Sequence, residues 1–224
     1  MSGTKFHSSL FEAFSSFESF VACSESEPFV HELQPPELAL DDVAVRALLR
    51  TNLSEQYAEE SDTVIVDELG LCRGQNRVDV VVVNGLLHGY EIKSDRDTLR
   101  RLPTQVAMYN QVLDRMTLVA GEKHLAAATQ MVPAWWGVTA VKIRQARPVL
   151  KVLRKGRKNP ARDPRALVEL LWHSEALELL ENRGLAKGVR GKPRAAVWDR
   201  VCEHFTLDEI ARAVRCALKV RKAR

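Results

Sequence analysis

Between Arg77 and Tyr109 the chain reads RVDVVVVNGLLHGYEIKSDRDTLRRLPTQVAMY, and five residues in it have types and spacings that could do chemistry. Asp79 stands alone, Glu91 and Lys93 are two apart, and Gln105 and Tyr109 are four apart. Carboxylates are hard oxygen donors that suit magnesium or manganese. An ammonium beside them is a fixed positive charge where negative charge develops. No Cys/His cluster competes for a metal, which argues against zinc.

The elements that must position these groups follow from local pattern. Val80 to Val83 is four β-branched apolar residues in a row, a strand buried on both faces, with Asp79 at its mouth. Asn84 and Gly85 open a turn, and Leu87 to Lys93 reads as a second strand returning beside the first. Strand side chains alternate, so Glu91 and Lys93 share one face while Tyr90, Ile92 and Ser94 take the other. Pairing in the obvious register brings Asp79 close to Glu91. A core strand does not carry Glu and Lys inward for packing, because burying unpaired charge is costly. The alternative reading is a structural Glu91/Lys93 pair on a solvated sheet face. Ser94, Asp95 and Asp97 are turn and capping residues. Pro103 fits the first turn of a helix running to about Asp114, on which Gln105 and Tyr109 share a face.

With Gly74 five residues before Asp79, the order G-x-x-x-x-D, E-x-K, Q-x-x-x-Y resembles the PD-(D/E)XK nuclease superfamily, and in its third motif the RecB-like branch. The resemblance covers residues 60 to 120, and EIKSDRDTLRRLPTQVAMYN is similar to a group of small, poorly characterised bacterial proteins of that superfamily. It implies that Asp79 and Glu91 are metal ligands, with the backbone carbonyl of Ile92 as a further ligand and Mg2+ or Mn2+ as the cofactor. Lys93 would position the attacking water and stabilise charge on the phosphate. Gln105 and Tyr109 would steady the site and contact the substrate backbone. The residue types agree with that chemistry, since a phosphodiester repels hydroxide and its hydrolysis needs hard cations and an activated water. Residues 63 to 68 read as a further short strand ending at Glu68, which either completes the metal shell or is a surface acid. Asp67 is the weaker candidate, and Glu37, Asp41, Asp42 and Glu55 are the acids available before that strand.

Along the chain, residues 1 to 36 hold Phe6, Phe11, Phe14, Phe17 and Phe20 among serines and glutamates, read as a docked amphipathic helix or a partner-binding segment. A signal-peptide pattern is missing, and no run reaches the roughly 18 to 20 apolar residues of a membrane span, so a cytoplasmic location is expected. A helix from Glu37 to about Leu53 precedes the sheet. After the Gln105 helix come a strand at 116 to 120, a helix from Glu122 to about Gln130, a strand at 135 to 143 and an edge strand at 149 to 153. The C-terminal part reads as helices at 163 to 173, 175 to 181, 194 to 205 and 207 to 219, the last opened by a Thr206/Glu209 capping box. Its final pair could form a helix-turn-helix, although generic helical packing is commoner. Trp172 and Trp198 read as core residues. Cys23, Cys72, Cys202 and Cys216 lack metal or cluster spacing and read as reduced thiols.

Charge is uneven: residues 142 to 224 carry 22 Lys/Arg against 9 Asp/Glu, although the whole chain is only +4. LKVLRKGRKNPARDPR and RGLAKGVRGKPR supply most of that excess and read as exposed basic segments suited to a polyanion. The expected fold is α/β, a restriction-endonuclease-like core with a basic helical subdomain. The expected divisions are an N-terminal segment to 36, the core from 37 to 154, and the subdomain from 155 to 224. The expected function is a metal-dependent nuclease acting on DNA, in repair, restriction or phage defence. The alternatives are a catalytically silent nucleic-acid- or partner-binding module of the same fold, or a nuclease for RNA or structured DNA. The expected partner is nucleic acid, DNA in the first place, with no membrane involved, and a homodimer or protein partner is compatible with the chain.

Overall fold

A computed structural model of the chain describes residues 40–222. The phenylalanine-rich segment, Glu37 and Cys23 lie outside the described residues.

Six strands form one mixed sheet in sequential order. Helix α1 (Asp42–Gln56) leads into β1 (Val64–Leu71), a 3-10 turn (Cys72–Gly74), β2 (Asn76–Val83) and β3 (Leu87–Lys93). Then follow α2 (Leu102–Val112), β4 (Arg115–Gly121), α3 (Glu122–Met131), β5 (Gly137–Arg144) and β6 (Arg147–Arg154). Short turns make β1/β2, β2/β3 and β5/β6 antiparallel. The two connections that contain helices, α2 and α3, make β3/β4 and β4/β5 parallel, as a crossover requires. The chain closes with α4 (Pro164–Val168), α5 (His173–Glu181), α6 (Arg194–His204) and α7 (Leu207–Lys222).

The sheet is covered on both faces. On one, α1 buries Val45, Leu49 and Leu53 against Val80, Val82, Tyr90, Ile92, Val119 and Val141. On the other, Val81, Val83, Leu118 and Ala120 pack with Leu102, Tyr109 and Val112 of α2. The same cluster continues without a break through Leu167, Val197, Trp198, Ile210, Val214 and Leu218 of the C-terminal helices. The chain beyond residue 155 therefore shares the core of the sheet.

Several local expectations need correction. Helix α1 starts at Asp42, because Asp41 is its N-cap and accepts the Ala44 N–H at 2.9 Å. β1 does not end at Glu68 but runs on to Leu71, and α2 stops at Val112 rather than Asp114. The predicted helix at 163 to 173 is only the short α4. The first basic stretch is exposed over most of its length, as expected, but it begins inside β6 and is anchored at two points further on. Asn159 donates to the Asn110 and Leu113 carbonyls at the end of α2, and Arg162, with a side chain 6 % exposed, is paired with buried Asp114 at 2.6 Å. Trp198 is buried as expected, but Trp172 is 52 % exposed, with the Arg221 guanidinium stacked 4.2 Å from its ring centre. The Thr206/Glu209 capping box is present at the start of α7, whose Ile210, Val214 and Leu218 face the core. Cys72, Cys202 and Cys216 are free thiols. Among the described residues no helix is long and apolar enough to cross a membrane.

Candidate active site

The β2/β3 ladder is in register as far as Val80 opposite Tyr90, which sets Asp79 beside Glu91, as the sequence pattern predicts. There the pairing changes character. Instead of a backbone bond, the Asp79 carboxylate reaches across and accepts the Ile92 N–H at 2.7 Å through Oδ2. Val78 and Val81 belong to one core cluster and Val80 and Val82 to the other, so the alternation slips by one residue at Asp79. On the opposite flank, β1 bends at the same level: Asp67 pairs with Val80 and Leu69 with Val78, leaving Glu68 between them at φ +52°. A left-handed glutamate in a strand is strained, and such strain gathers at functional sites.

Glu91 and Lys93 project from β3 towards α2, 1 % and 4 % exposed, with Lys93 Nζ 2.5 Å from Glu91 Oε1. The other carboxylate oxygen, Oε2, lies 2.8 Å from the Tyr109 hydroxyl. That hydroxyl is also 2.6 Å from the Arg77 carbonyl and accepts from Gln105 Nε2 at 3.2 Å. Its single proton serves only one of the two acceptors, so a proton on Glu91 would satisfy the whole set. The electrostatics agree. Burial, and then the nearby Asp79 charge, push Glu91 up to about 7 in spite of Lys93 and Tyr109. Burial raises Asp79 as well, opposed by the Ile92 N–H and by Arg46. The Tyr109 hydroxyl is raised by burial and by the adjacent Glu91. All five residues singled out in the sequence are thus brought together.

Asp79, Glu91, Lys93 and Gln105 open onto a cavity of about 390 Å³, whose walls also include Asp42, Arg46, Glu68, Arg77, Asp97 and Arg101, while Tyr109 touches Glu91 from outside its lining. Asp97 has a local task there, since its Oδ2 accepts from the Ser94 N–H and hydroxyl and fixes the chain as it leaves β3. Of the acids considered beside Asp79 and Glu91, Glu68 and Asp42 reach the cavity. Asp67 is turned to Arg50 at 3.6 Å, Asp41 is spent on its cap, and Glu55 is exposed near the far end of α1.

Arg46 is the residue the sequence reading missed. Its guanidinium lies 3.1 Å from Asp42 Oδ2, 2.8 Å from Glu68 Oε1 and 3.0 Å from Asp79 Oδ1, and it also donates to the Asp79 carbonyl at 2.8 Å. The available signal is Asp42, Arg46 and Arg50 at four-residue spacing beside the apolar Val45, Leu49 and Leu53. As the side chains stand, no three Asp, Glu, His or Cys among the described residues are grouped closely enough to hold a metal ion. The donor set nevertheless fits a hard divalent cation in type, since carboxylates are hard oxygen donors. Five carboxylates, Asp42, Glu68, Asp79, Glu91 and Asp97, line the cavity against four cations, Arg46, Arg77, Lys93 and Arg101, which leaves one negative charge in excess when all are ionised.

Comparison with known proteins places the chain. Protein cII of Enterobacteria phage P4 is 28 % identical over 125 residues, covering 56 % of this chain and 47 % of that protein. The match thus spans about half the length of that relative. The solved structure of a protein of unknown function from Silicibacter pomeroyi aligns over 68 % of this chain and 100 % of its own, with 20 % identity and a TM-score of 0.40. The family described as bacteriophage P4 protein cII matches residues 39–224, well over half of the sequence. This chain is a member of the bacteriophage P4 protein cII family.

Proposed function

We propose that the chain is a divalent-metal-dependent nuclease with a restriction-endonuclease-like core, hydrolysing phosphodiester bonds of DNA in the cytoplasm. One observation carries this reading. A carboxylate–ammonium pair that is almost fully buried faces a polar cavity rather than a packed interior, beside a second acid fixed by a backbone N–H. Buried pairs of this kind contribute little to stability compared with apolar residues of the same volume, so their retention at a cavity points to chemistry.

Asp79, Glu91 and Glu68 would hold Mg2+ or Mn2+, with the backbone of Ile92 at the same wall. A cation there supplies charge neutralisation and lowers the pKa of a bound water. Lys93 presents its ammonium where negative charge grows on the phosphate. Tyr109, held by Gln105 and the Arg77 carbonyl, keeps Glu91 in one orientation. Arg77 and Arg101 line the mouth and are placed to take substrate phosphates.

A second reading, a catalytically silent nucleic-acid-binding module, is favoured by the engagement of Arg46 with three of the carboxylates. The experiment that separates them is incubation of purified protein with linear, supercoiled and single-stranded DNA and with RNA, in Mg2+ or Mn2+. Asp79→Asn, Lys93→Met and EDTA serve as controls. Cleavage lost in both variants and in EDTA, with nucleic-acid binding retained, is the expected outcome. Salt-dependent binding without cleavage would replace the enzyme by the binding module.

A further inference from the structure

We infer that Arg46 is a built-in counter-cation, which holds the carboxylates together in the metal-free protein and which a divalent cation must displace from Asp79 and Glu68. The inference rests on the metal-site reading above and goes beyond it by naming what the metal competes with. Arg46 reaches the site from α1, on the opposite face of the sheet from the α2 residues Gln105 and Tyr109. It binds Asp79 twice, through carbonyl and carboxylate, and each of Asp42 and Glu68 once or more. No packing requirement explains a guanidinium at the meeting point of three acids. Burial alone would lower its pKa, but the Asp79 and Asp42 charges outweigh that and keep it firmly protonated.

Two consequences follow from the geometry. Asp79 Oδ2 is committed to the Ile92 N–H and Oδ1 to Arg46, so withdrawal of Arg46 releases Oδ1, and the Asp79 carbonyl with it, and leaves the bond across the β2/β3 junction in place. Glu68 can be released in the same movement, because its Oε1 is held by the same guanidinium and its second oxygen is only loosely approached by Arg77 at 3.9 Å. Withdrawal of one side chain therefore frees a carboxylate oxygen on each of Asp79 and Glu68, from two strands, and on Asp42, from α1. Metal affinity is then lowered by the work of removing Arg46, and without a metal the same guanidinium keeps the acids from springing apart under like-charge repulsion.

The test is Mn2+ binding, read by electron paramagnetic resonance of the free ion and by the Mn2+-induced shift in melting temperature, independently of any activity. Wild type, Arg46→Met, Arg46→Lys and Asp79→Asn are compared, with circular dichroism to confirm folding. Arg46→Met should bind Mn2+ at least about tenfold more tightly than wild type, the size expected for removing one unit charge at contact distance. Its melting temperature should also rise more on Mn2+ addition than that of wild type, which holds even if the variant starts out less stable. Arg46→Lys, which keeps the charge, should stay close to wild type. Equal or weaker binding by a folded Arg46→Met, or equal tightening by both substitutions, would overturn the counter-cation role while leaving the metal site intact. If neither wild type nor Arg46→Met binds Mn2+ in an Asp79-dependent way, the metal-site reading fails, and the competition falls with it.

Discussion

At the scale of single residues, the Glu91/Lys93 pair separates a stability role from a chemical one. Removing one partner strands the other in a site only 1 to 4 % exposed, so Glu91→Ala should cost ~3–5 kcal/mol in urea unfolding. The double variant Glu91→Gln, Lys93→Met should cost less than Glu91→Ala alone, because neither side chain is then left charged. A double variant as unstable as the single one would show that the pair is retained for the fold. His88, on the α1 side of the same strand, offers a pH test. Burial, reinforced by Arg115, lowers it from an ordinary 6.5 to about 4, while Thr117 Oγ1 at 2.9 Å holds the neutral ring. The unfolded chain takes up the proton first, so stability is complete above pH 6.5 and is lost as pH falls towards 4. The loss from this residue alone should approach ~3 kcal/mol at pH 4. His88→Gln should lack it, and urea melts of both proteins at pH 7.5 and 4.5 measure the difference. Glu91, raised rather than lowered, contributes with the opposite sign over an overlapping range, which is why the wild-type-minus-variant difference is the quantity to read.

At the scale of elements, β3 and its neighbours hold the site through close backbone packing, and two glycines show how rigidly. A Cβ on Gly137 would lie 2.9 Å from Gly156 N and 3.2 Å from Arg154 O, backbone atoms of the adjoining chain that cannot swing aside. A Cβ on Gly89 would meet Met116 Sδ at 2.5 Å and Leu113 Cδ1 at 2.7 Å, the ends of flexible side chains. Gly137→Ala should therefore destabilise by ~1–3 kcal/mol and Gly89→Ala by less, measured by urea unfolding; the reverse order would mean that the backbone beside β5 yields more easily than the side chains around β3. This difference between local and distant causes also explains what could be read in advance. Val80 to Val83 and the alternation of Glu91 with Ile92 are local patterns, and they disclose the hairpin, its register and the convergence of Asp79, Glu91 and Lys93, whereas the place of Gln105 and Tyr109 beside them is implied only by the family resemblance. The slip at Asp79, the left-handed Glu68 and the placement of Arg46 arise where three elements distant in sequence meet, and no short window contains them. Trp172 was misplaced for a related reason: its environment is set by Arg221, 49 positions later in the chain.

At the scale of the whole molecule, the concentration of positive charge after residue 142 is the strongest pointer to a polyanionic partner, and the fold decides how it can be tested. Truncation before α4 is not an informative experiment. It would remove Leu167, Val197, Trp198, Ile210, Val214 and Leu218 from the cluster that seals the sheet, and take Arg162 from buried Asp114. Surface charges give a cleaner route. Lys155, Lys158, Lys187 and Lys192 are exposed and join no ion pair among the described residues, so changing all four to Gln should leave circular dichroism and urea midpoint unaltered. Each lysine–phosphate pairing that the substitutions abolish should reduce the slope of log K against log salt by about 0.9 for duplex DNA. With all four lysines on phosphates, fluorescence anisotropy between low and moderate salt should show a decrease of roughly 3 to 4 in that slope, whatever the DNA sequence. An unchanged slope would place the electrostatic attraction at Arg77 and Arg101 beside the cavity, where substitutions would act on cleavage as well as on affinity.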